Sequence, residues 1–487
     1  MSSGSDLTRR ELLIRAAAGM AAIAVGTRES DAKTASRPNI LFILADDLGY
    51  ADLSIYGRPD IKSPNIDRIG SDGMRFTQAY ANSAVCSATR TALITGRYQY
   101  RLRLGLEEPL VGNPDVGLPP EQPTLPSLLR KTGYGTTLIG KWHMGAPPKF
   151  GPLQSGYDHF YGFRGGALDY FTHRGPADVG DDLWDDDMQI HQTGYLTQLL
   201  GARAVATIDG YAKTRQPFLL SLHFNAPHWP WEAPGEKAES QRVADRLTTD
   251  RRAMFDFDGG SQNTYRQMVE AMDREVGRVL HALEAGGLAQ NTLVIFTSDN
   301  GGERFSDTWP FTGRKTELLE GGLRIPALIR WPGRVPARSV TDQVAISMDW
   351  LPTLLAAAGT TPDPASPPDG VNLLPVLTAN AAPMPRSLFW RYKANAQRAA
   401  REGDYKFLKI LDNTFLFNVT LDPMERANLK SREPQIYEQL VAAWHRWNTD
   451  MLPEVAESAT DSFTGAQLAD HIGSPAATSK PDFGADD

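Results

Sequence analysis

The chain has 487 residues, of which 41% are hydrophobic and 22% charged, a composition typical of a soluble globular protein with a large buried core. The formal net charge of −8 offers no basic surface for nucleic acid, so we expect no nucleic acid partner. A single cysteine, Cys86, excludes an intramolecular disulfide framework and any metal cage built from several cysteines.

The N-terminus resembles an export signal. Residues 8–13 have the sequence TRRELL, which is similar to a twin-arginine motif, and a short apolar run follows at 17–26. The run is shorter than the roughly 20 apolar residues that a membrane helix needs. We therefore predict a removable twin-arginine-type signal over 1–36, no stable membrane anchor, and a periplasmic or secreted protein. The alternative is an ordinary basic tail followed by apolar residues.

Apolar runs in the next part of the chain predict buried parallel strands, and amphipathic helical patterns separate them. The strands are predicted at residues 39–44, 135–139, 218–224 and 292–297. The helices are predicted at residues 124–132, 194–211 and 262–285. This alternation predicts an α/β fold, with a mainly parallel central sheet and helices on both faces. Such sheets bind ligands beyond the carboxyl ends of their strands.

The last part of the chain predicts a second, smaller unit. Residues 359–386 are rich in Pro, Ala, Thr and Asp, which indicates a connection. Short strand patterns follow at 387–392, 405–409 and 415–418, with a helical pattern at 435–447. We predict a small antiparallel sheet with one packed helix. The predicted units are the signal at 1–36, the main domain at 37–378, the C-terminal subdomain at 379–454 and a flexible tail at 455–487.

Cys86 lies within residues 85–97, VCSATRTALITGR. A lone cysteine is most often a small buried apolar residue, and the alternatives are a free nucleophile or a residue made for chemical conversion. The Cys-x-Ala-x-Arg pattern, which ends at Arg90, and the Leu-x-Thr-Gly-Arg pattern after it resemble the sulfatase signature. That resemblance favours conversion, because sulfatases oxidise this cysteine to formylglycine, the catalytic aldehyde.

Oxygen-bearing side chains follow two of the predicted strands. Asp46 and Asp47 follow the first strand, and Asp299 and Asn300 follow the strand at 292–297. Each pair alone is typical of a turn. Together they bring three carboxylates and an amide to one edge of the sheet, where they would repel one another without a cation. Oxygen-only ligands favour Ca²⁺ or Mg²⁺ over zinc.

Basic side chains lie in loops near the same edge. They are Lys141 and His143 after the strand at 135–139, His228 after the strand at 218–224, and Lys315 within residues 313–317. Alternate spacing puts Lys141 and His143 on one face of an extended segment. Each residue alone is typical of a solvated loop. Together they fit a clamp for a tetrahedral oxyanion.

The order of these residues resembles the formylglycine-dependent sulfatases, close to the arylsulfatase and N-acetylgalactosamine-6-sulfatase-like branch. The resemblance covers about residues 38–430, including FNVTLDPME at 417–425, which is similar to the family's C-terminal lobe. It implies an alkaline phosphatase-like catalytic domain at 37–378 and hydrolysis of sulfate monoesters. It also implies two partners: a sulfated small molecule or saccharide as substrate, and a formylglycine-generating maturation enzyme.

The resemblance further implies a metal site and a nucleophile. One divalent cation, usually Ca²⁺ and less often Mg²⁺, would be held by Asp46, Asp47, Asp299, Asn300 and the residue formed from Cys86. Formylglycine made from Cys86 would supply the nucleophile as its hydrate, and Arg90 would stabilise the ionised hydrate.

The basic residues receive roles from the same resemblance. Lys141 and Lys315 would hold sulfate oxygens. His228 would contact the sulfate and protonate the departing alcohol. His143 would take a proton from the remaining hydroxyl, which expels sulfate and regenerates the aldehyde.

Three questions stay open at this point. Ala88 stands where the commonest motif has proline, a known variant whose conversion is expected to be less complete or to depend on a different maturase. Trp229, Trp231, Tyr170 and His173 fit either a sugar or aryl pocket or the core. A formylglycine-dependent phosphodiester or phosphonate monoester hydrolase shares these features. A carbohydrate-binding protein on a decayed scaffold is disfavoured, because every expected catalytic residue is present.

Overall fold

The structure is a computed structural model that describes residue 1 and residues 37–454, except residues 177–179, 251, 252, 257 and 380. The predicted export signal and the predicted tail lie outside the described residues and stay predictions. Within the described part of the chain, no helix combines the length and apolar character needed to cross a membrane.

Strands and helices are numbered here in chain order. The strands are β1 (Asn39–Ala45), β2 (Met74–Phe76), β3 (Ala79–Tyr80), β4 (Gly135–Lys141), β5 (His159–Phe163), β6 (Trp184–Asp185), β7 (Met188–Gln189), β8 (Phe218–His223), β9 (Thr292–Ser298), β10 (Ala327–Arg330), β11 (Ser339–Thr341), β12 (Ala345–Ile346), β13 (Ser387–Tyr392), β14 (Gln397–Glu402), β15 (Tyr405–Ile410) and β16 (Asn413–Asn418). The helices are α1 (Pro64–Ser71), α2 (Cys86–Thr95), α3 (Leu125–Arg130), α4 (Leu196–Thr214), α5 (Lys237–Leu247), α6 (Gln262–Ala285), α7 (Glu320–Leu323), α8 (Trp350–Ala357), α9 (Leu374–Ala379) and α10 (Pro434–Thr449).

The central sheet has the strand order β11-β2-β10-β9-β1-β8-β4-β5-β6-β7. The middle strands β9, β1, β8, β4 and β5 run parallel, whereas β10 pairs antiparallel with β9. The middle strand β1 is apolar after Asn39 and buried at every position, as expected of a strand covered on both faces. The prediction of a mainly parallel sheet is confirmed.

Helices cover both faces of this sheet. Leu41 and Ile43 point into a core formed with α4 and α6. Phe42 and Leu44 point the other way, into a core formed with α2, α3 and α8. Because successive side chains of a strand alternate between its faces, one apolar run serves both cores.

The C-terminal sheet has the order β13-β14-β15-β16 with every pair antiparallel, and α10 packs on it through Leu440 and Trp444. The predicted sheet and helix are confirmed, but the predicted strand set omits β14. Its sequence, QRAARE, lacks an apolar run, and it forms a strand because it is hydrogen-bonded on both sides. The predicted connection at 359–386 also contains the short helix α9.

Buried polar contacts join this sheet to the main domain. Lys406 on β15 is fully buried, with its Nζ 3.0 Å from Glu320 Oε1 and 2.9 Å from Glu425 Oε1. The Trp390 indole donates a hydrogen bond to the carbonyl of Ala81 at 2.9 Å. The domain boundary predicted at 378/379 stays a prediction.

Glu108 is a buried carboxyl at the same junction. Its Oε2 accepts a hydrogen bond of 3.2 Å from the Lys393 backbone N–H, and its carbonyl accepts one from the Tyr392 hydroxyl at 3.4 Å. Burial raises the pKa of Glu108 to about 8, against the opposing effects of the Lys393 N–H and the Arg391 charge. The protonated form of Glu108 is therefore the one that the fold favours.

We expect Glu108→Gln to become more stabilising as pH rises. A glutamate whose pKa is about 8 in the folded chain and about 4.3 in the unfolded chain lowers stability between those pH values, because only the unfolded chain ionises freely there. Glutamine has no such ionisation. The difference in unfolding free energy between variant and wild type should therefore grow from about pH 5 to about pH 8, at up to ~1.4 kcal/mol per pH unit, and the measured Tm difference should grow with it.

The matched control is Glu121→Gln, which changes an exposed carboxyl in the same domain. Its Tm difference from wild type should stay nearly constant with pH. A constant Tm difference for Glu108→Gln as well would contradict the assigned burial effect.

Candidate active site

The carboxyl ends of β9, β1, β8 and β4, which are neighbours in the sheet, form the floor of the candidate site. Asp46 and Asp47 follow β1, and Asp299 follows β9. Lys141 is the last residue of β4, and His228 lies in the loop after β8. The structure thus brings these sequence-predicted residues to one edge of the sheet.

Cys86 is the first residue of α2, after Val85 in an extended conformation. Arg90 lies one turn later on the same face. Its Nε and Nη2 lie 2.9 and 2.8 Å from Asp299 Oδ2, and Nη2 lies 3.5 Å from Asp46 Oδ1. The helix therefore aims residue 86 and a fully buried guanidinium at the acidic edge.

Two lysines neutralise the other carboxylate oxygens. Lys141 Nζ lies 2.6 Å from Asp46 Oδ2, and Lys315 Nζ lies 2.7 Å from Asp47 Oδ2. Asn300 Nδ2 donates to Asp47 Oδ1 at 2.7 Å. All five side chains are buried.

Charge and burial compete in setting these ionisations. Burial raises the pKa of Asp46 well above its usual range despite the nearby Lys141. Burial also acts to raise the pKa of Asp299, but the Arg90 and Lys141 charges outweigh it and lower that pKa. The pKa of Lys315 is raised, because the Asp47 and Glu303 charges outweigh the effect of burial.

His143 contacts the cysteine. Its Nδ1 lies 3.3 Å from Cys86 Sγ, and its Nε2 lies 2.9 Å from the Leu110 carbonyl. Burial and the Lys141 charge lower the pKa of His143 well below its ordinary value, so the ring is neutral. Because a carbonyl can only accept, Nε2 carries the proton and Nδ1 faces residue 86 as an acceptor.

His228 is held in the opposite tautomer. Its Nδ1 lies 2.7 Å from the Trp229 carbonyl, so Nδ1 carries the proton. Burial and the Lys315 charge lower the pKa of His228 well below its ordinary value. Nε2 lies 3.5 Å from Asp47 Oδ2. Because neither atom carries a proton, two hydrogen-bond acceptors face each other, and a positive charge near them would stabilise this arrangement.

The donor set fits a hard divalent cation. Ligand atoms of Asp46, Cys86 and Asp299 all lie within 4.8 Å of one another. Asp46 Oδ1 and Asn300 Oδ1 are buried and accept no hydrogen bond from any residue that the structure describes, although buried polar atoms are normally satisfied. Carboxylate and amide oxygens are the ligands that Ca²⁺ and Mg²⁺ prefer.

Unusual backbone conformations fix several site residues. Asp47 and His143 have φ values of 63° and 59°, which non-glycine residues rarely adopt and which often mark functional sites. Gly140, directly before Lys141, has a φ of 108°, and a Cβ there would lie 1.8 Å from the His223 carbonyl oxygen. Only glycine allows β4 and β8 to approach this closely at the site.

Sequence reasoning missed two site residues. One is His223, the last residue of β8, whose Nδ1 lies 3.5 Å from Arg90 Nη1. Burial and the Arg90 charge lower the pKa of His223 to about 3. Glu303 Oε1 lies 3.7 Å from Lys315 Nζ. Glu303 follows the predicted ligands Asp299 and Asn300 after two glycines, and this closeness in sequence could have identified it as a site residue. His223 was hidden inside an apolar strand pattern.

The aromatic candidates are core residues rather than an open pocket. Tyr170, Trp231 and His173 are buried, and Trp229 is 8% exposed. The Tyr170 hydroxyl donates to the carbonyls of Asn225 and His228 at 3.1 and 2.9 Å. Tyr170 thus supports the loop that carries His228.

Comparison with known proteins agrees with this geometry. The family model Sulfatase matches residues 38–360, and the model N-sulphoglucosamine sulphohydrolase, C-terminal, matches residues 313–449. N-acetylgalactosamine-6-sulfatase from Homo sapiens is 34% identical over 403 residues, which are 76% of this chain and 71% of the relative. Arylsulfatase A from Homo sapiens is 31% identical over 465 residues, covering 88% and 83%.

A solved structure extends the similarity to three dimensions. Ps i-CgsB in complex with k-i-k-neocarrahexaose superposes with a TM-score of 0.76 at 31% identity, over 86% of this chain and 94% of that one. The expected alkaline phosphatase-like fold is confirmed by such neighbours. With the matched domains covering most of its length, the chain belongs to the sulfatase family and is a sulfuric ester hydrolase.

Proposed function

We propose that the protein hydrolyses sulfate monoesters of a sulfated carbohydrate or an aryl alcohol, using formylglycine made from Cys86 and one divalent cation. The observation that carries the proposal is the position of Cys86 Sγ. It lies at the start of a helix, within 4.8 Å of carboxylate oxygens of Asp46 and Asp299, and 3.3 Å from a neutral histidine nitrogen.

The cation would be held by Asp46, Asp47, Asp299, Asn300 and residue 86, with Ca²⁺ preferred over Mg²⁺. When bound, it supplies positive charge that favours ionisation of a hydroxyl on residue 86. The formylglycine hydrate supplies one hydroxyl as nucleophile and a second whose deprotonation releases sulfate.

The charge balance of the site supports an anionic substrate. The carboxylates of Asp46, Asp47 and Asp299 are matched by the positive charges of Arg90, Lys141 and Lys315. Glu303 Oε1 also lies 3.7 Å from Lys315 Nζ. A divalent cation would add two positive charges to this group, and that added local charge attracts a sulfate ester against the overall charge of −8.

The protein's own residues divide the remaining work. In this proposal Lys141 and Lys315 bind the sulfate oxygens, and Arg90 stabilises negative charge on residue 86. His143 accepts a proton at Nδ1, because its Nε2–H is fixed on the Leu110 carbonyl. His228 must first bind a proton at Nε2, which the negative charge of a bound sulfate ester favours, and it then donates that proton to the departing alcohol.

Burial sets the order of maturation in this proposal. Cys86 is 2% exposed in the folded chain, so a maturation enzyme must reach it before folding is complete. Export of the folded protein by the twin-arginine route would then follow conversion in the cytoplasm. That route also suits an exported chain without disulfides.

We expect wild type to cleave an aryl sulfate with higher kcat/KM than the matched aryl phosphate diester, and to release free sulfate from members of a panel of sulfated saccharides. Peptide mass spectrometry should find the aldehyde at residue 86. Cys86→Ala should lower kcat/KM for the aryl sulfate by at least about 10³-fold, because it removes the nucleophile. Its Tm, measured in parallel, should stay near that of wild type.

Two results would overturn this proposal. Fully active enzyme with an unmodified thiol at residue 86 would contradict the formylglycine route. A strong preference for the phosphate diester would favour the phosphodiester or phosphonate monoester hydrolase instead.

Removal of the divalent cation by a chelator should abolish turnover but leave the protein folded, because the lysines and Arg90 still neutralise the acids. Adding Ca²⁺ back should raise Tm and restore activity, since a ligand that binds only the folded chain stabilises it. Asn300→Ala should shrink the Ca²⁺-induced rise in Tm, because Asn300 Oδ1 is a proposed ligand.

Asn225→Ala is the matched control for the cation. Asn225 is also a buried asparagine whose side-chain oxygen accepts no hydrogen bond from the described residues, and it lies outside the proposed ligand set. Its Ca²⁺-induced rise in Tm should equal that of wild type. An equal loss in both variants, or no effect of Ca²⁺ on wild type, would contradict the assigned ligands.

A further inference from the structure

The turn at residues 313–319, which we name the Lys315 turn, is anchored at two points of the active site. The Lys315 backbone N–H donates to the Gly302 carbonyl at 3.1 Å, next to the loop of the proposed ligand Asn300. The Thr316 N–H donates to the Ala84 carbonyl at 2.9 Å, two residues before Cys86. The position of the Lys315 ammonium therefore depends on the conformation of this turn.

The Lys315 turn is strained at its centre. Thr316 has a φ of 72°, a left-handed conformation that is rare for a β-branched residue. Thr316 and Leu318 are both buried, so the backbone polar groups of this segment need partners inside the protein. Surrounding contacts must hold such a conformation in place.

Gln397, the first residue of β14, supplies those contacts from the C-terminal sheet. Its Oε1 accepts from the Leu318 N–H at 2.8 Å. Its Nε2 donates to the Thr316 carbonyl at 2.9 Å and to the Ala394 carbonyl at 3.1 Å. The side chain is 2% exposed, so water does not replace these bonds. One side-chain amide thus holds the backbone directly after the strained residue, at the Thr316 carbonyl and at the Leu318 N–H.

We infer that Gln397 is a positioning residue for Lys315, so that the C-terminal sheet sets the geometry of sulfate binding. The inference rests on the proposed role of Lys315 in holding sulfate oxygens. Without the clasp, the Thr316 carbonyl and the Leu318 N–H are left unpaired in the interior. Thr316 then relaxes from its strained φ, and the Lys315 ammonium leaves its place 2.7 Å from Asp47.

The first test compares Gln397→Met with Gln343→Met in the full-length matured enzyme. Gln343 is a matched control, because it is fully buried and clasps backbone in the same way. Its Nε2 donates to the Val344 and Met384 carbonyls at 2.8 and 3.2 Å, and its Oε1 accepts from the Met384 N–H at 2.6 Å. Both variants lose comparable hydrogen bonds, so both should lower Tm to a similar extent.

Only the Gln397 variant should weaken anion binding. We expect Gln397→Met to raise the Kd for inorganic sulfate, measured by calorimetric titration, by about tenfold or more, and to lower kcat/KM at least as much. Gln343→Met should change either constant by less than about twofold. Equal effects of the two variants, or a Kd for Gln397→Met equal to that of wild type, would overturn the inference.

A double-mutant cycle with Lys315→Met separates positioning from general damage. If Gln397 acts through Lys315, Gln397→Met should change the sulfate Kd by less than about twofold once Lys315 has been replaced. A loss as large as in the wild-type background would show that Gln397 acts by another route. Gln343→Met should remain additive with Lys315→Met.

A milder variant covers the case in which Gln397→Met does not fold. Gln397→Glu keeps the oxygen that accepts from Leu318 and lacks the amide donor to Thr316. Its sulfate Kd should rise by about threefold or more, and a Kd equal to that of wild type would contradict the clasp.

Sulfate affinity does not require turnover, so this test is distinct from that of the proposed function. If wild type prefers phosphate diesters, the double-mutant cycle is measured with the Kd for inorganic phosphate instead. The same dependence of the Gln397→Met effect on Lys315 is expected. Absence of saturable binding of either anion to wild type would overturn the assigned role of Lys315, and the inference with it.

Discussion

The structure depends on the compensation of three buried carboxylates by three buried cations at one edge of the sheet. Each ion is costly to bury alone, because the protein interior solvates charge poorly. Asp299 is paired with Arg90, Asp46 with Lys141, and Asp47 with Lys315. Glu303 Oε1 also lies 3.7 Å from Lys315 Nζ, so this cation is shared between two carboxyl groups. In the proposed function, a bound divalent cation adds the positive charge that an anionic substrate needs.

Sequence reasoning succeeded where the chemistry follows strand ends. The apolar run of β1 fixed the position of Asp46 and Asp47, and that of β9 fixed Asp299 and Asn300, because parallel strands end at a common edge. The polar strand β14 was missed, since pairing with β13 and β15 decides its conformation rather than its own pattern.

Other features depend on contacts between residues far apart in the chain. The tautomers of His143 and His228 are set by the carbonyls of Leu110 and Trp229, and no spacing pattern reveals which nitrogen faces a carbonyl. The aromatic residues near His228 were undecided between pocket and core, because only burial separates the two. The local sequence pattern thus identifies where this site lies, whereas tertiary contacts set the histidine tautomers and the burial of its side chains.

The C-terminal sheet contributes a further buried ion pair next to the active site. Lys406 lies between Glu320 and Glu425, and its charge helps to hold the pKa of Glu320 at about 2, against the effect of burial. Glu320 begins α7, directly after the Lys315 turn, and Gln397 clasps that turn from the neighbouring strand β14. A buried ion pair is costly to break, because one partner is left uncompensated. The sheet therefore cannot leave the main domain without disturbing the loop that carries Lys315. If Lys315 binds sulfate as we propose, the Thr316–Gln397 hydrogen bond couples that binding to a residue about 80 positions further along the chain.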